Sequence, residues 1–179
     1  RFGKQFVGWG ASFFWTPADF FNTEKIDQTG LVDTRAGKTA LRIDIPFNNA
    51  YFITLFDLNF IQDSSSATNI KLDQIPITMR LDFLIKGYEI GISAYYQKDN
   101  PWKVGLDFSG SIFGWDIYAE SAVTINADVV KVVEDESAFI GFSSTSETKT
   151  IFQISIGLSN TFGESDDWSF STELFFNSA

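Results

Sequence analysis

Charged side chains recur at every second position in several segments of the sequence, and this spacing suits the selection of ions by charge. In residues 77–83, Arg80 and Asp82 alternate with apolar residues. Successive side chains of a strand point to opposite faces, so one face of the resulting sheet would be polar and the other apolar. Rows of charged side chains along a pore select ions by sign. The pattern predicts these pore-lining residues: Arg42, Asp44, Asp57, Arg80, Asp82, Glu89, Asp107, Asp116, Glu120 and Glu173.

The predicted lining residues are net acidic, and we therefore expect a mild preference for cations. A different arrangement fits the same pattern. Arg42 could pair with carboxylates near Asp44, and Arg80 could reach Glu89 on the next strand. The charges would then neutralise one another and plug a narrow lumen. The sequence leaves both arrangements open.

The composition argues against most catalytic chemistry. The chain has no His and no Cys, which removes the commonest general base, the commonest transition-metal ligand and all thiol chemistry. Its net charge of −10 disfavours nucleic acid as a partner, because such binding depends on Lys and Arg. We expect no enzyme activity, no catalytic residue, no cofactor and no metal site. The acidic clusters at 134–136 and 166–167 could hold Ca²⁺, but we interpret them as solvated loop acids.

Segments of alternating polarity also define the elements that must position these side chains. They predict strands near 1–9, 39–47, 50–61, 76–85, 88–97, 102–112, 115–125, 150–162 and 168–177, in a single domain spanning 1–179. Most of these are about ten residues long, which exceeds the ~5–6 residues of an ordinary soluble strand and suits a tilted membrane-spanning strand. Short connections at 48–49, 86–87, 113–114 and 163–167 alternate with longer ones, as in outer-membrane barrels.

We therefore predict an all-β fold, an antiparallel up-and-down transmembrane β-barrel with about nine strands. Single-chain bacterial barrels usually have an even number of strands, so we expect these nine to be part of a larger barrel. Periodicity alone does not decide whether the apolar face meets lipid or a protein core. Strand length, aromatic girdles and alternating loop lengths favour lipid, and a soluble lipid-binding barrel is the alternative.

Aromatic residues make up 17% of the chain and cluster near the predicted strand ends. Girdles of aromatic residues lie where the hydrocarbon of a bilayer meets water. The predicted girdle residues are Trp9, Tyr51, Tyr88, Tyr96, Trp102, Trp115, Phe162 and Trp168.

Two segments outside these strands carry further signals. Thr16, Pro17 and Asp19 suit the cap, first and third positions of a short helix. We predict about one helical turn there, with Phe20 and Phe21 packed against the protein. Between 125 and 149, apolar runs could extend two strands above the membrane.

A resemblance to a known family rests on two runs near the start of the chain, Gly3-Lys4-Gln5-Phe6-Val7-Gly8-Trp9-Gly10 and Trp15-Thr16-Pro17-Ala18-Asp19-Phe20-Phe21-Asn22. Together they resemble porin-like outer-membrane proteins of Gram-negative-type bacteria, in which a GRQ…WG strand precedes NPxDxF in a long loop. The segment 87–123, with Gly105–Gly110 reading GLDFSG, is also similar to paired strands of that family. Two positions depart from the pattern: Thr16 replaces Asn, and Lys4 replaces Arg, which keeps the charge but loses the bidentate fork.

The resemblance implies a barrel in the bacterial outer membrane that acts as a channel for ions or small solutes. Its partners would be the lipid bilayer with a lipopolysaccharide-type outer leaflet, and further copies of itself or a larger outer-membrane assembly. A closed structural or adhesive barrel, whose loops 10–38 and 125–149 bind an external partner, is the alternative function.

Overall fold

The computed structural model describes residues 1–21, 37–59, 72–134, 141–162 and 168–179. Within them, nine strands form one sheet in sequence order, and each strand is antiparallel to the next. The strands are β1 (Phe2–Gln5), β2 (Lys38–Pro46), β3 (Ala50–Asp57), β4 (Ile77–Ile85), β5 (Tyr88–Tyr96), β6 (Trp102–Ile112), β7 (Trp115–Glu134), β8 (Phe142–Phe162) and β9 (Trp168–Asn177). The prediction of an all-β, antiparallel, up-and-down architecture is confirmed.

The sheet is open at both edges. Among the described strands, β1 pairs only with β2, and β9 pairs only with β8. The described strands alone therefore do not form the predicted closed cylinder. Each free edge presents backbone N–H and C=O groups that can pair with a further strand.

Tight turns join strands at one end of the sheet, which we call the short-turn end. Lys86 and Gly87 join β4 to β5, and Phe113 and Gly114 join β6 to β7. All four have positive φ, between 52° and 86°, which is the geometry of a type I′ turn. This turn matches the natural twist of the strands, and its second position suits Gly because Gly has no Cβ to clash. We call the opposite end the long-loop end.

Strands β7 and β8 run further than the sequence indicated. The predicted range 115–125 ends too early and the range 150–162 begins too late, because the strands continue as a two-stranded hairpin that pairs Ala127 with Lys149 and Glu134 with Phe142. A register shift between Thr124 and Ala127 marks where the hairpin begins. The predicted extension of the first of these strands is confirmed, whereas most of the second apolar run, at 138–142, lies outside the described residues. Four valines on β7 and two threonines on β8 favour β-structure there.

A salt bridge of 2.8 Å joins Lys131 to Glu147 across this hairpin. The hydrogen bond from Lys131 lowers the pKa of the Glu147 carboxyl. The same hydrogen bond raises the pKa of Lys131. Both effects stabilise the charged forms of the two side chains.

Two predictions near the start of the chain are wrong in detail. Strand β1 ends at Gln5 instead of residue 9, because the chain then turns onto one face of the sheet, with Gly10 at a φ of 107°. Residues 16–19 form a turn, with Asp19 N–H donating to the Thr16 carbonyl at 3.1 Å, instead of a helical turn. The burial predicted for Phe20 and Phe21 is confirmed. Residues 60–61 of the predicted third strand and Asn22 lie outside the described residues.

The described helical structure is a single 3₁₀ turn, Leu72–Gln74. Across the described ranges, no helix has the length and apolarity required to cross a membrane.

The two faces of the sheet have opposite solvent exposure. On the apolar face, large aliphatic side chains are exposed, including Leu106 at 50% and Ile156 at 52%. On the polar face, charged and hydroxyl side chains are buried, including Asp107 at 4% and Glu120 at 1%. A soluble protein normally has the reverse arrangement. The polar face is buried because residues 7–21 lie across it.

Candidate functional site: the polar face and the segment that covers it

Residues 7–21, which we call the covering segment, cross the polar face between the two edges of the sheet. Trp15 stacks on Phe175 of β9, with ring centroids 5.5 Å apart. Phe20 lies under the Lys103 ammonium of β6, and Phe21 lies 5.7 Å from that of Lys38 of β2. The segment therefore reaches from the last strand of the sheet back to the second.

Two carboxylates on the polar face bind the backbone of the covering segment. Glu120 accepts hydrogen bonds from the N–H groups of Ser12 (2.6 Å) and Ala18 (3.2 Å). Glu173 accepts from three consecutive N–H groups, those of Phe13 (3.1 Å), Phe14 (3.2 Å) and Trp15 (2.8 Å). Because the segment has no regular secondary structure, these N–H groups would have no hydrogen-bond partner without the two carboxylates. These two acids therefore fix the path of the covering segment.

Close packing completes the contact at the other side of the sheet. Val7, Trp9 and Phe21 form an apolar cluster with three residues of β2 and β3, which are Ala40, Ile53 and Leu55. Gly10 lies against Glu120, and a Cβ at this position would overlap its carboxylate. The covering segment thus combines buried apolar contact with hydrogen bonds to charged acceptors, the stronger class of hydrogen bond.

A buried ion-pair network lies beneath the segment. Arg80 of β4 donates two hydrogen bonds to Asp107 of β6, at 2.7 and 2.8 Å, and also contacts Asp82 at 2.6 Å. The guanidinium crosses β5 over Gly91, where a Cβ would overlap both Arg80 and Asp107. Trp9 adds a cation–π contact, its ring centre 5.8 Å from the guanidinium carbon. Arg80 is 9% exposed, and its guanidinium is enclosed by Asp107, Asp82 and Trp9.

Further charges on the polar face are paired at β2 and β3. Arg42 contacts Asp44 at 2.6 Å, and Lys38 contacts Asp57 at 3.1 Å. The predicted pairing of Arg42 with neighbours of Asp44 is wrong in its partner, because Arg42 contacts Asp44 itself. The predicted pairing of Arg80 with Glu89 is wrong, because Gly91 leaves a direct path from Arg80 to Asp107.

Glu89 and Asp116 make no ion pair among the described residues. Both are exposed and lie near the short-turn end. Glu89 lines two cavities, one of about 590 Å³ and one of about 370 Å³, and Asp116 lines the smaller of them. Among the acids of the described polar face, these two are therefore held neither by an ion pair nor by the N–H groups of the covering segment, as Glu120 and Glu173 are.

The structure places every predicted lining residue on the polar face. Residues directly opposite in an antiparallel pair share a face, and Asp82, Gly91, Asp107, Glu120 and Ser155 form one such row. Glu89, Tyr118 and Glu173 belong to the next row. The alternating pattern in the sequence was sufficient to find these residues.

Most of the predicted girdle residues lie on the apolar face, in two groups at opposite ends of the sheet. Tyr96 and Trp102 contact each other at the long-loop end, with centroids 4.9 Å apart. Trp115 contacts Phe162 at 5.8 Å at the short-turn end, next to Trp168. Tyr88 also lies toward this end, stacked on Phe108.

Trp9 and Tyr51 are corrections to the predicted girdle. Trp9 is only 6% exposed and lies on the polar face over Arg80, because the chain leaves the sheet after Gln5. Tyr51 pairs with Asp82 and therefore also lies on the polar face. Tyr51 and Asp57 are an even number of residues apart in the same strand, so their side chains point to the same face. The sequence alone therefore indicated this position.

Several aromatic residues of the site were not predicted. Phe13 contacts Tyr118 edge to face, with centroids 5.1 Å apart. Phe14 is 6.1 Å from Trp15. The adjacent aromatic letters at positions 13–15 were a signal, but nothing in the sequence indicates that these side chains reach the polar face of distant strands.

No family model, curated protein or solved structure matches this chain. The described residues contain no group of three His, Cys, Asp or Glu side chains arranged to hold a metal ion. The predicted acidic clusters at 134–136 and 166–167 fall mostly outside the described ranges.

Proposed function

We propose that this chain forms part of a β-barrel channel in a bacterial outer membrane, through which ions or small solutes pass passively. The observation that supports it is the reversed burial of the sheet. Leu106 and Ile156 are about half exposed on one face, whereas Asp107 and Glu120 are buried on the other. Hydrocarbon around the outer face would account for the exposed Leu and Ile side chains, and the covering segment inside the barrel would account for the buried Asp and Glu side chains.

The size of the sheet fits a bilayer. Strand β6 has 11 residues, which at ~3.3 Å per residue gives ~36 Å. Tilted by ~40°, such a strand would rise ~28 Å, close to the ~25 Å apolar band of outer-membrane barrels. The Tyr96–Trp102 and Trp115–Phe162 contacts lie at the two ends of this span, where girdles would meet the lipid headgroups.

A barrel in a membrane must be closed. Unpaired backbone groups in hydrocarbon cost several kcal/mol each, so the free edges of β1 and β9 need partners. In our proposal, strands outside this sheet supply them, either from the same polypeptide or from a second copy in a homo-oligomer. The polar face then becomes the wall of the lumen.

The covering segment would narrow this lumen. It lies across the polar face, where Glu120 and Glu173 bind its backbone. Most charged side chains beneath it are paired, so Glu89 and Asp116 give the passage its negative character. A mild preference for cations follows from these two carboxylates. Catalytic chemistry has no part in this proposal.

A closed structural or adhesive barrel is the second candidate. The hairpin of residues 127–134 and 142–149 favours it, because the hairpin extends past the ends of the neighbouring strands and could bind an external partner. The filled polar face is also compatible with a barrel that conducts nothing.

Conductance in planar lipid bilayers separates the two candidates. The channel proposal predicts stepwise ion currents with a reversal potential on the cation side in a salt gradient. Absence of current from protein that is folded and inserted would exclude the channel and favour the closed barrel.

A further inference from the structure

Strand β7 has a free edge where it extends beyond β6. Strand β6 begins at Trp102, which pairs with Ile125, and among the described residues only β8 pairs with residues 127–134. In an antiparallel pair, the N–H and C=O groups of alternate residues point away from the partner strand. Residues 127–134 therefore present unpaired backbone groups on the side away from β8, which we call the β7 edge. Closing the barrel at β1 and β9 would leave this edge free, because β6 is its neighbour in the sheet.

The β7 edge lacks the features by which edge strands avoid pairing, which include Pro, bulges and outward Lys side chains. Residues 127–134 contain no Pro, and their one Lys, Lys131, is drawn toward β8 by its salt bridge with Glu147. The register shift lies before these residues, at the base of the hairpin. Val130 and Val132 are 67% and 72% exposed, and Val favours strands. The edge is therefore suited to accept a further strand.

The side chains along the β7 edge have a defined charge pattern. One face of the strand carries two acids separated by two valines, which are Asp128, Val130, Val132 and Glu134. Thr148 donates a hydrogen bond of 2.9 Å to Asp128 and so orients its carboxylate. Both acids are exposed, and neither makes an ion pair among the described residues. A strand added here would meet a carboxylate at each end and apolar side chains between them.

A second copy of this chain fits the β7 edge poorly. Two copies aligned antiparallel over residues 128–134 would place Asp128 opposite Glu134, and Lys131 opposite Lys131. Like charges directly opposite each other destabilise a pair of strands. The complementary pattern is a strand with a basic residue at each end and apolar residues at alternate positions between them.

We propose that the β7 edge binds an extended, basic segment of a partner protein, which adds to the hairpin as a third strand. Backbone hydrogen bonds hold the segment to residues 127–134. Its basic side chains pair with Asp128 and Glu134, and its apolar side chains cover the two exposed valines. This inference rests on the proposed barrel only for the position of the hairpin in water beyond the bilayer.

Titration of the folded protein in detergent solution with short peptides, all with blocked termini, tests the site. The peptide KTVTVTK has the complementary pattern in either strand direction. ETVTVTE is the control for charge. KTVPVTK is the control for strand addition, because it keeps the charge but its Pro donates no backbone hydrogen bond. We expect saturable binding of KTVTVTK, and binding weaker by about tenfold or more for both controls.

Hydrogen exchange should locate the bound peptide. We expect KTVTVTK to slow amide exchange within residues 127–134 and to leave exchange in β4 unchanged. Reversing both charges, in Asp128→Lys with Glu134→Lys, should invert the preference, so that ETVTVTE binds more tightly than KTVTVTK. The milder variant Asp128→Asn with Glu134→Gln should remove the difference between these two peptides, and it serves if the reversed variant does not fold.

Binding of KTVPVTK equal to that of KTVTVTK would indicate attraction by the net charge of −10 alone and would overturn the site. Absence of binding, unchanged exchange within residues 127–134, or a dimer that already protects these amides before peptide is added would also overturn it. The titration needs no ion flow, and the two proposals can therefore fail separately. Current without peptide binding contradicts only the site, and binding without current contradicts only the channel.

Discussion

The backbone N–H of Trp15 donates a hydrogen bond of 2.8 Å to Oε1 of Glu173, a residue 158 positions further along the chain. With the N–H groups of Phe13 and Phe14 on Oε2 of the same side chain, this contact holds the covering segment to the edge strand of the sheet. A full carboxylate is suited to this role, because both oxygens accept and neither donates.

Replacing Glu173 with Gln should loosen the covering segment. The amide offers one accepting oxygen in place of two, so at least one backbone N–H loses its partner. We expect the free energy of unfolding to fall by about 1–3 kcal/mol, and the single-channel conductance to rise and become noisier. Urea titration and bilayer recording measure these effects. Glu89→Gln is the control, since Glu89 accepts no backbone hydrogen bond from the segment; equal conductance noise in both variants would contradict the role of Glu173.

Adding a side chain at Gly91 should break the ion pair above it. A Cβ there would overlap the Arg80 guanidinium and the Asp107 carboxylate. Separating a buried pair leaves charges without partners, and so Gly91→Val should lower the free energy of unfolding by about 3–5 kcal/mol. Ile92→Val, on the opposite face of the same strand, removes one methyl from a side chain that is 44% exposed, and it should lower the free energy of unfolding much less. A Gly91→Val variant as stable as Ile92→Val would show that the pair contributes nothing at this position.

Neutralising the unpaired acids should change ion selectivity. In the variant Glu89→Gln with Asp116→Asn, we expect the ratio of cation to anion permeability to move toward one, because the remaining acids of the polar face are paired or bound to backbone N–H groups. Reversal potentials in a salt gradient measure this ratio. The matching change Asp128→Asn, on the hairpin, should leave it unaltered. Unchanged selectivity in the double variant would locate the filter elsewhere.

The hairpin salt bridge should depend on pH in a defined direction. The pKa of Glu147 is lowered by its hydrogen bond from Lys131, so its stabilising effect is complete above the ordinary value of 4.5 and is lost as the pH falls through the lowered value. The pKa of Lys131 is raised, and its effect is lost only as the pH rises beyond 10.5. A carboxyl-detected NMR titration should give Glu147 a midpoint below 4.5, and Lys131→Met should return it toward that value.

The sequence was most informative where side chains alternate. Arg80 and Asp82 were assigned to the polar face from parity alone, since a strand fixes which neighbours share a face. Parity also assigns Tyr51 to that face, although its aromatic ring favoured a position in the girdle. Within strands, position in the pattern was therefore a better guide than residue type.

Contacts between distant parts of the chain were not predictable in this way. The sequence around Glu120 and Glu173 gives no sign that they bind N–H groups more than a hundred residues away. The covering segment has no alternating pattern from which its partners could be inferred. The same reason explains Trp9, which was predicted at the membrane surface and lies over Arg80. Whether an edge of the sheet is open depends on which strands pair, and the sequence of one strand does not specify its partner.

The central claim is that the apolar face of the sheet meets hydrocarbon, and Leu106 tests it most directly. The chain has no Cys, so Leu106→Cys and Ser109→Cys each give a single site for a fluorescent label, on opposite faces of β6. In vesicles containing brominated lipid, we expect strong quenching of the label at 106 and little at 109, and the reverse with iodide in water. Quenching of the label at 106 by iodide alone would contradict the account.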